Sequence, residues 1–300
     1  MRKTSDRQTY VYLTGPDDAG KRLDEYLKTE HRYSSRLISR IKQQGAAYIN
    51  DEAVKFIQPL EEGDKVILHF GDEEYDAAPA ACDFDIISED DDVLIVNKPP
   101  FLVVHPTKSH QQDTLANGIY AMWQARGEMG KARFVNRLDM NTSGVLVIAK
   151  NKYAHHIIQS QMKYGEVEKF YYALVKGRLK ELNGIIDAPV ARLEGSMIER
   201  AVSQNGKTCI TQYEVVRQYD AYALLKIKLL TGRTHQIRVH MAHIGHPILG
   251  DSLYDDESVL IGRQALHAHS IRFDHPRDKA ERLYIAPLPK DFKLLTPELS

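Results

Sequence analysis

The sequence lacks any long apolar run. Its strongest ones, Val93-Leu94-Ile95-Val96 and Val145-Leu146-Val147-Ile148-Ala149, fall far short of the ~20 residues that cross a bilayer, so no membrane span is expected. Cysteine is nearly absent. Cys82 and Cys209 stand alone with no CxxC spacing, which argues against a disulfide framework and against a cysteine-based zinc site. No apolar core follows Met1-Arg2-Lys3-Thr4-Ser5-Asp6, so no signal peptide is expected and a cytoplasmic location is. Internal repeats are missing too. What is present, 43% hydrophobic and 27% charged residues over 300 positions, is the balance of a soluble globular protein long enough for two domains.

Net charge is also small, at −1, but the total conceals a segregation. Residues 71–92 hold ten acidic side chains and no basic one. The remainder carries 40 basic side chains against 31 acidic ones (41 less those ten), and ligand steering follows local charge rather than the sum. The chain therefore reads as three stretches: a small module over 1–70, an acidic linker over 71–92 and a large domain over 93–300.

Within the module, Arg22-Leu23-Asp24 opens a helical pattern, and a second helix is predicted from about Ser34 to Gln44 with Leu37, Ile38 and Ile41 on one face. Gly45 stands where a left-handed cap is expected. Turns are expected at Asn50-Asp51-Glu52 and Gly63-Asp64. Residues 28–42 contain Lys28, Arg32, Arg36, Arg40 and Lys42 against the single acid Glu30. Spacing by four places Arg32, Arg36 and Arg40 on one face if the helix extends back to Arg32, and a cationic face can bind phosphates or simply be solvated. Beyond residue 93, strand-like runs at 93–97, 144–149, 169–176, 210–217 and 222–230 interleave with helical patterns at 113–125, 151–163 and 235–244. No regular strand–helix–strand alternation emerges, so the prediction is α+β with a mixed, mostly antiparallel sheet.

Three clusters carry chemistry. Arg137-Leu138-Asp139-Met140-Asn141-Thr142-Ser143-Gly144 precedes a strongly apolar strand, which would put Asp139 on a loop backed by a rigid element. Thr231-Gly232-Arg233-Thr234-His235-Gln236-Ile237-Arg238 joins a strand to a helix, where two arginines and a histidine can hold a carboxylate or phosphates. Arg238 lies off the Ile237/Met241/Ile244 face and can point toward Asp139. In Lys169-Phe170-Tyr171-Tyr172, strand alternation sends the two tyrosines to opposite sides, one into the core and one free to stack on a base. His235, His240, His243 and His246 crowd one window, with Asp251 the nearest carboxylate, but there is no HExxH and no metal is expected. His105-Pro106 and His275-Pro276 read as turns.

These residues resemble a known family. Asn97-Lys98-Pro99-Pro100, Arg137-Leu138-Asp139 with Thr142-Ser143-Gly144, Lys169-x-Tyr171-x-Ala173-Leu174-Val175, Thr231 to His240, Gly245-His246-Pro247-Ile248 with Gly250-Asp251, and Leu266-His267-Ala268 are collinear over about 93–288. They resemble the RluA/RluD type of large-subunit ribosomal RNA pseudouridine synthase. Residues 20–70 resemble the small RNA-binding domain first known from ribosomal protein S-four. One departure is Asn136, where many members have histidine.

The resemblance implies an isomerase that turns uridine into pseudouridine in RNA, with 23S ribosomal RNA the expected partner and transfer RNA the alternative. It implies no cofactor, and the protein is expected to be a monomer. Asp139 would be the nucleophile or the base, Arg238 its ion-pair partner, and Tyr171 the residue packed on the target base. Arg137 would take the place of the extruded nucleotide, and Arg233, His235, Arg32, Arg36, Arg40 and Lys42 would contact RNA. The competing readings are a non-catalytic RNA-binding or ribosome-assembly factor on the same scaffold, and a metal-dependent hydrolase using the histidines.

Overall fold

The computed structural model describes residues 8–71, 73–255, 258 and 260–297; residues 1–6, read above for a signal peptide, and Asp72 of the acidic strip lie outside the described residues. A small N-terminal unit contains β1 (Thr9–Leu13), α1 (Leu23–Thr29), α2 (Ser35–Gln44), β2 (Ala46–Ile49), β3 (Glu52–Ala53) and β4 (Lys65–His69). Its strands form an antiparallel sheet in the order β1-β4-β2-β3. Leu23 and Leu27 of α1 and Leu37, Ile38 and Ile41 of α2 pack on Val66 and Leu68 of β4.

Two local readings change in this unit. The Ser34 side chain accepts a hydrogen bond from the Leu37 amide at 3.2 Å and caps α2 there. Arg32 lies before that cap with φ of +56°, so it is off the helix, and only Arg36 and Arg40 share the face. Gly45 is extended (φ −131°) rather than left-handed. A side chain is excluded there for a different reason: a Cβ would fall 1.8 Å from the His69 carbonyl oxygen of β4.

The large unit runs through β5 (Asp85–Glu89), β6 (Val93–Lys98), α3 (Leu115–Ala125), β7 (Arg133–Phe134), β8 (Ser143–Ala149), α4 (Lys152–Tyr164), β9 (Glu168–Lys176), β10 (Asn183–Asp187), β11 (Val190–Arg192), β12 (Arg200–Val202), β13 (Ile210–Gln218), β14 (Tyr222–Leu229), α5 (Gln236–His243), β15 (Leu266–Asp274), β16 (Glu281–Ile285) and α6 (Lys290–Lys293). One sheet takes the order β10-β13-β14-β9-β15-β8-β6-β5, with β16 on β15 and β7 on β8. Its pairs are antiparallel apart from β8 with β15. The fold is α+β with a mixed, mostly antiparallel sheet.

The apolar runs of β6 and β8 do not alternate because both faces are covered. Leu94, Val96, Leu146 and Ile148 join the core under Ile119 and Trp123 of α3, whereas Val93, Ile95, Val145 and Val147 join the one under Ala154 and Ile158 of α4. Gly144 at the start of β8 has φ of +115°, and a Cβ there would lie 2.1 Å from the Ala268 oxygen, so only glycine allows β8 and β15 to meet.

Where the sequence reading expects a linker over 71–92, the structure has a strap and a strand. Glu73 pairs with Arg133, and with Lys152 at 3.3 Å. Asp76 takes Lys131 at 2.7 Å and the Tyr120 hydroxyl, and Tyr75 stacks on the Tyr120 ring. Asn117 donates to the Ala78 carbonyl at 2.7 Å. Residues 85–89 then form β5 on the sheet edge, with Glu89 held by Arg126 at 2.7 Å and Lys150 at 2.9 Å. The acidic strip has basic partners on the large unit, which is why it lies down.

The two units share one packed junction. Tyr153 and Ile157 of α4 belong to the small unit's core, and Tyr153 donates to the His31 carbonyl at 3.2 Å. Asp92 is sealed at 1% exposure. Arg277 grips it with Nε at 2.6 Å and Nη2 at 3.1 Å, Asn151 donates at 2.7 Å, and the Tyr10 hydroxyl of β1 completes the shell. Removing the carboxylate in Asp92→Ala strands a partly exposed guanidinium and a buried phenol. The expected cost is about 3 kcal/mol, read as a fall in the urea midpoint; an unchanged midpoint would show that this shell does not hold the units together.

Candidate active site

Asp139 lies in the loop between β7 and β8, and five groups fix that loop. Asn136 accepts from the Val147 amide at 2.9 Å and donates to the Val145 carbonyl at 3.3 Å, so its side chain behaves like an added strand. The Asp139 carbonyl accepts from the Thr142 amide at 3.1 Å. Lys98, fully buried at the end of β6, donates to the carbonyls of Met140 (2.8 Å), Pro99 (2.8 Å) and Leu102 (3.0 Å). Burial and the nearby Arg263 push its pKa down to about 7, against the opposing pull of Asp139. Arg263, 2% exposed, donates to the Asn141 carbonyl at 3.1 Å and is held by Asp291 of α6 at 2.7 and 3.0 Å. Ser143 meets His267 Nδ1 at 2.9 Å.

The opposing wall is the loop before α5. Gln236 ties it together, accepting from Thr231 Oγ1 and the Arg233 amide, both at 3.0 Å. His235 caps α5 in a left-handed conformation, φ +58°. Arg238, one turn on, is buried and shared between two carboxylates. Its Nε and Nη2 both reach Asp251 at 2.7 Å, and its Nη1 reaches Asp139 Oδ2 at 3.1 Å. Asp251 is fully buried, while the Asp139 side chain keeps 28% exposure. Burial works against the Arg238 charge, but Asp251 and Asp139 outweigh it and hold its pKa above the ordinary arginine value. The arrangement presents one accessible carboxylate steadied by a buried cation, with a second carboxylate sealed behind it.

Other expected residues fall around this centre. His235 Nε2 stands 3.7 Å from Asp139 Oδ2, and its Nδ1 meets the Tyr254 hydroxyl at 2.8 Å; burial lowers its pKa. Tyr171 is the buried one of the tyrosine pair, and burial together with the charge of Asp139 pushes its hydroxyl up, so it stays protonated. Tyr172 packs instead on His269. Arg137 is exposed and reaches Thr234 Oγ1 at 3.4 Å, and Arg233 is exposed. Arg32, Arg36, Arg40 and Lys42 belong to the small unit. Arg32 is bound to Glu166 at 3.0 Å, and Arg36 and Arg40 line a cavity of about 340 Å³ with Arg133, Lys152, His155 and His156.

The histidine window does not converge. His240 is fully buried between Thr211 Oγ1 and the Ala188 carbonyl, both at 2.9 Å, and His246 bonds the Lys176 carbonyl at 2.9 Å. Among the described residues, Asp90, Asp92 and His275 bring ligand atoms together, but Arg277 and Arg282 already occupy those carboxylates. Sequence reasoning did not assign three groups that shape the site: Lys98, Arg263 and the arginine-holding role of Asp251. Lys98 and Asp251 each stood inside a motif block; nothing local marked Arg263.

A family model described as RNA pseudouridylate synthase matches residues 92–243. The chain is 40% identical over 265 residues to an RNA pseudouridine synthase, YjbO, of Bacillus subtilis, covering 87% of this chain and 94% of that protein. It is 36% identical over 307 residues to the ribosomal large subunit pseudouridine synthase D of Nitrosomonas europaea, covering 97% and 88%. Its fold is similar to the human RNA pseudouridylate synthase domain containing 4, with TM-score 0.58 and 25% identity over 72% of this chain and 92% of that one. The chain belongs to the RNA pseudouridine synthase family, a class of isomerases acting on uridine in RNA. Within it, the chain is of the RluA/RluD type.

The hold on Arg238 gives a test. Asp251→Asn keeps shape but removes the buried charge, leaving Arg238 free to swing fully onto Asp139. Pseudouridine formation is expected to drop about 100-fold in kcat while RNA binding, read by filter retention, stays near wild type. Wild-type kcat would show that Asp251 has no part in presenting the carboxylate.

Proposed function

We propose that the protein isomerises specific uridines in 23S ribosomal RNA and that Asp139 is the reacting carboxylate. The observation that supports this most directly is the pairing of a part-exposed Asp139 with the buried Arg238. The relatives named for the ribosomal large subunit support the choice of RNA. In the reaction the bond from ribose C1′ to N1 breaks, the uracil turns, and a bond from C1′ to C5 forms; C5 loses its hydrogen and N1 gains one. Atoms and electrons balance within the nucleotide, so no redox partner or metal is needed. Asp139 acts either as nucleophile at C1′ or as the base that removes a ribose proton. Both roles need it ionised.

In this reading Tyr171 packs on the uracil as a neutral phenol. Arg137, exposed at the mouth of the site, fills the gap left by the extruded nucleotide. Extrusion costs a few kcal/mol and least at an unpaired base, which favours a loop or junction target. Arg233 and His235 lie where the flanking backbone would pass. The small unit acts as an S-four-like RNA-binding domain through Arg36, Arg40 and Lys42, with Arg32 at its edge.

Asp139→Asn should abolish release of tritium from 5-tritiated uridine in RNA while binding persists, and a chelator should leave wild-type turnover unchanged. Turnover by Asp139→Asn at the wild-type rate, or chelator loss restored by zinc, would refute the assignment. Reversing two charges in Arg36→Glu/Arg40→Glu should weaken RNA binding and flatten the plot of log affinity against log salt by about 1.5 units. An unchanged slope would remove the small unit from the interface.

A further inference from the structure

Among the described residues, the large unit's inward cations have partners, with one exception. Lys98 has three carbonyls, Lys150 has Glu89, Arg238 has Asp251 and Asp139, and Arg263 has Asp291. Lys169 of β9 is half-buried, yet among the described residues its side chain makes no ion pair and no hydrogen bond, and burial alone depresses its pKa. An ammonium partly withdrawn from water without a counter-charge carries a cost that an anion arriving with a ligand would offset.

Its position says which ligand. Lys169 and Tyr171 are two apart on β9 and leave the same face of the strand. Glu168, the adjacent acid, leaves the other face and serves Lys228 and Arg272 there. Across the ladder from Lys169 stands Ile271, which offers no charge. Lys169 Nζ lies against Gly232, at 3.5 Å from where a Cβ would be, in the loop whose His235 faces Asp139. The ammonium thus sits on the Tyr171 side of the sheet, at the foot of the loop that walls the site.

We propose that Lys169 binds a backbone phosphodiester of the RNA next to the target uridine, and so acts as a substrate-binding residue of the site. The inference rests on the reading of Asp139 above. The bare Gly232 lets the phosphate approach, and the phosphodiester supplies the charge that the protein withholds.

The test uses the full chain and an unmodified 23S ribosomal RNA transcript under single-turnover conditions. Lys169→Met should raise the RNA concentration for half-maximal rate about tenfold, change the rate at saturating RNA by less than about threefold, and flatten the salt plot by about 0.7–0.9. Lys169→Arg should restore affinity. Thermal unfolding of free Lys169→Met should occur at or above the wild-type temperature, because an unpaired, half-buried charge has gone. Unchanged half-saturation and salt slope in folded Lys169→Met would overturn the proposal. A lowered unfolding temperature would do so too, by assigning Lys169 to the core. Failure of the wild-type chain to form any pseudouridine in this transcript would instead refute the proposed function on which the inference rests.

Discussion

The arrangement of the site depends on one guanidinium shared unequally between two carboxylates. Arg238 gives two short, parallel hydrogen bonds to Asp251, which is sealed from solvent, and one longer bond to Asp139, which is not. The first pair fixes the plane of the fork. The remaining donor then points at Asp139 without enclosing it. A carboxylate so placed is anchored through one oxygen and still part-exposed. A lysine at 238 would have three donors but no planar fork, and so could not pair side-on with Asp251 while directing a further donor at Asp139.

A reacting group must also be held still, because misplacement by a fraction of an ångström is costly to rate. The scaffold meets that demand from below. Lys98 and Arg263 are buried and each gives one hydrogen bond to a backbone carbonyl of the Asp139 loop, and Asn136 stitches the loop's entry to β8. Gly144 allows β8 to lie directly on β15, which carries His267 to Ser143 at the loop's exit. The departure at Asn136 therefore has a structural use. Its amide supplies both a donor and an acceptor to the same strand, and the loop geometry does not depend on an imidazole.

Much of this was legible in the sequence. The apolar runs of β6 and β8, the alternation of β14 and the helical spacing of α3 and α4 gave the elements, because burial on one or two faces leaves a periodicity. The Asp139, Tyr171 and Arg238 blocks also stood out. What escaped was whatever depends on contacts between distant segments. Residues 71–92 looked like a tether because acidity was visible, whereas their partners Arg133, Lys131 and Lys152 lie far along the chain. Arg32 looked helical by spacing until the Ser34 cap set the start of α2. Gly45 had the right residue for a cap, but the neighbouring strand, not the turn, is what requires it. Arg263 carried no local signal, since its acceptors, the Asp291 carboxylate and backbone oxygens such as that of Asn141, are brought in by the fold.

We propose that the Asp139 carboxylate works on the sugar of an extruded uridine while Arg238 steadies it. The most direct measurement is a structure of the protein bound to a substrate RNA carrying 5-fluorouridine at the modified position. The expected structure has an extruded base packed on Tyr171, one Asp139 oxygen against the ribose and the other still on Arg238. A nucleotide left in its helix, or an Asp139 turned away from the sugar, would contradict it.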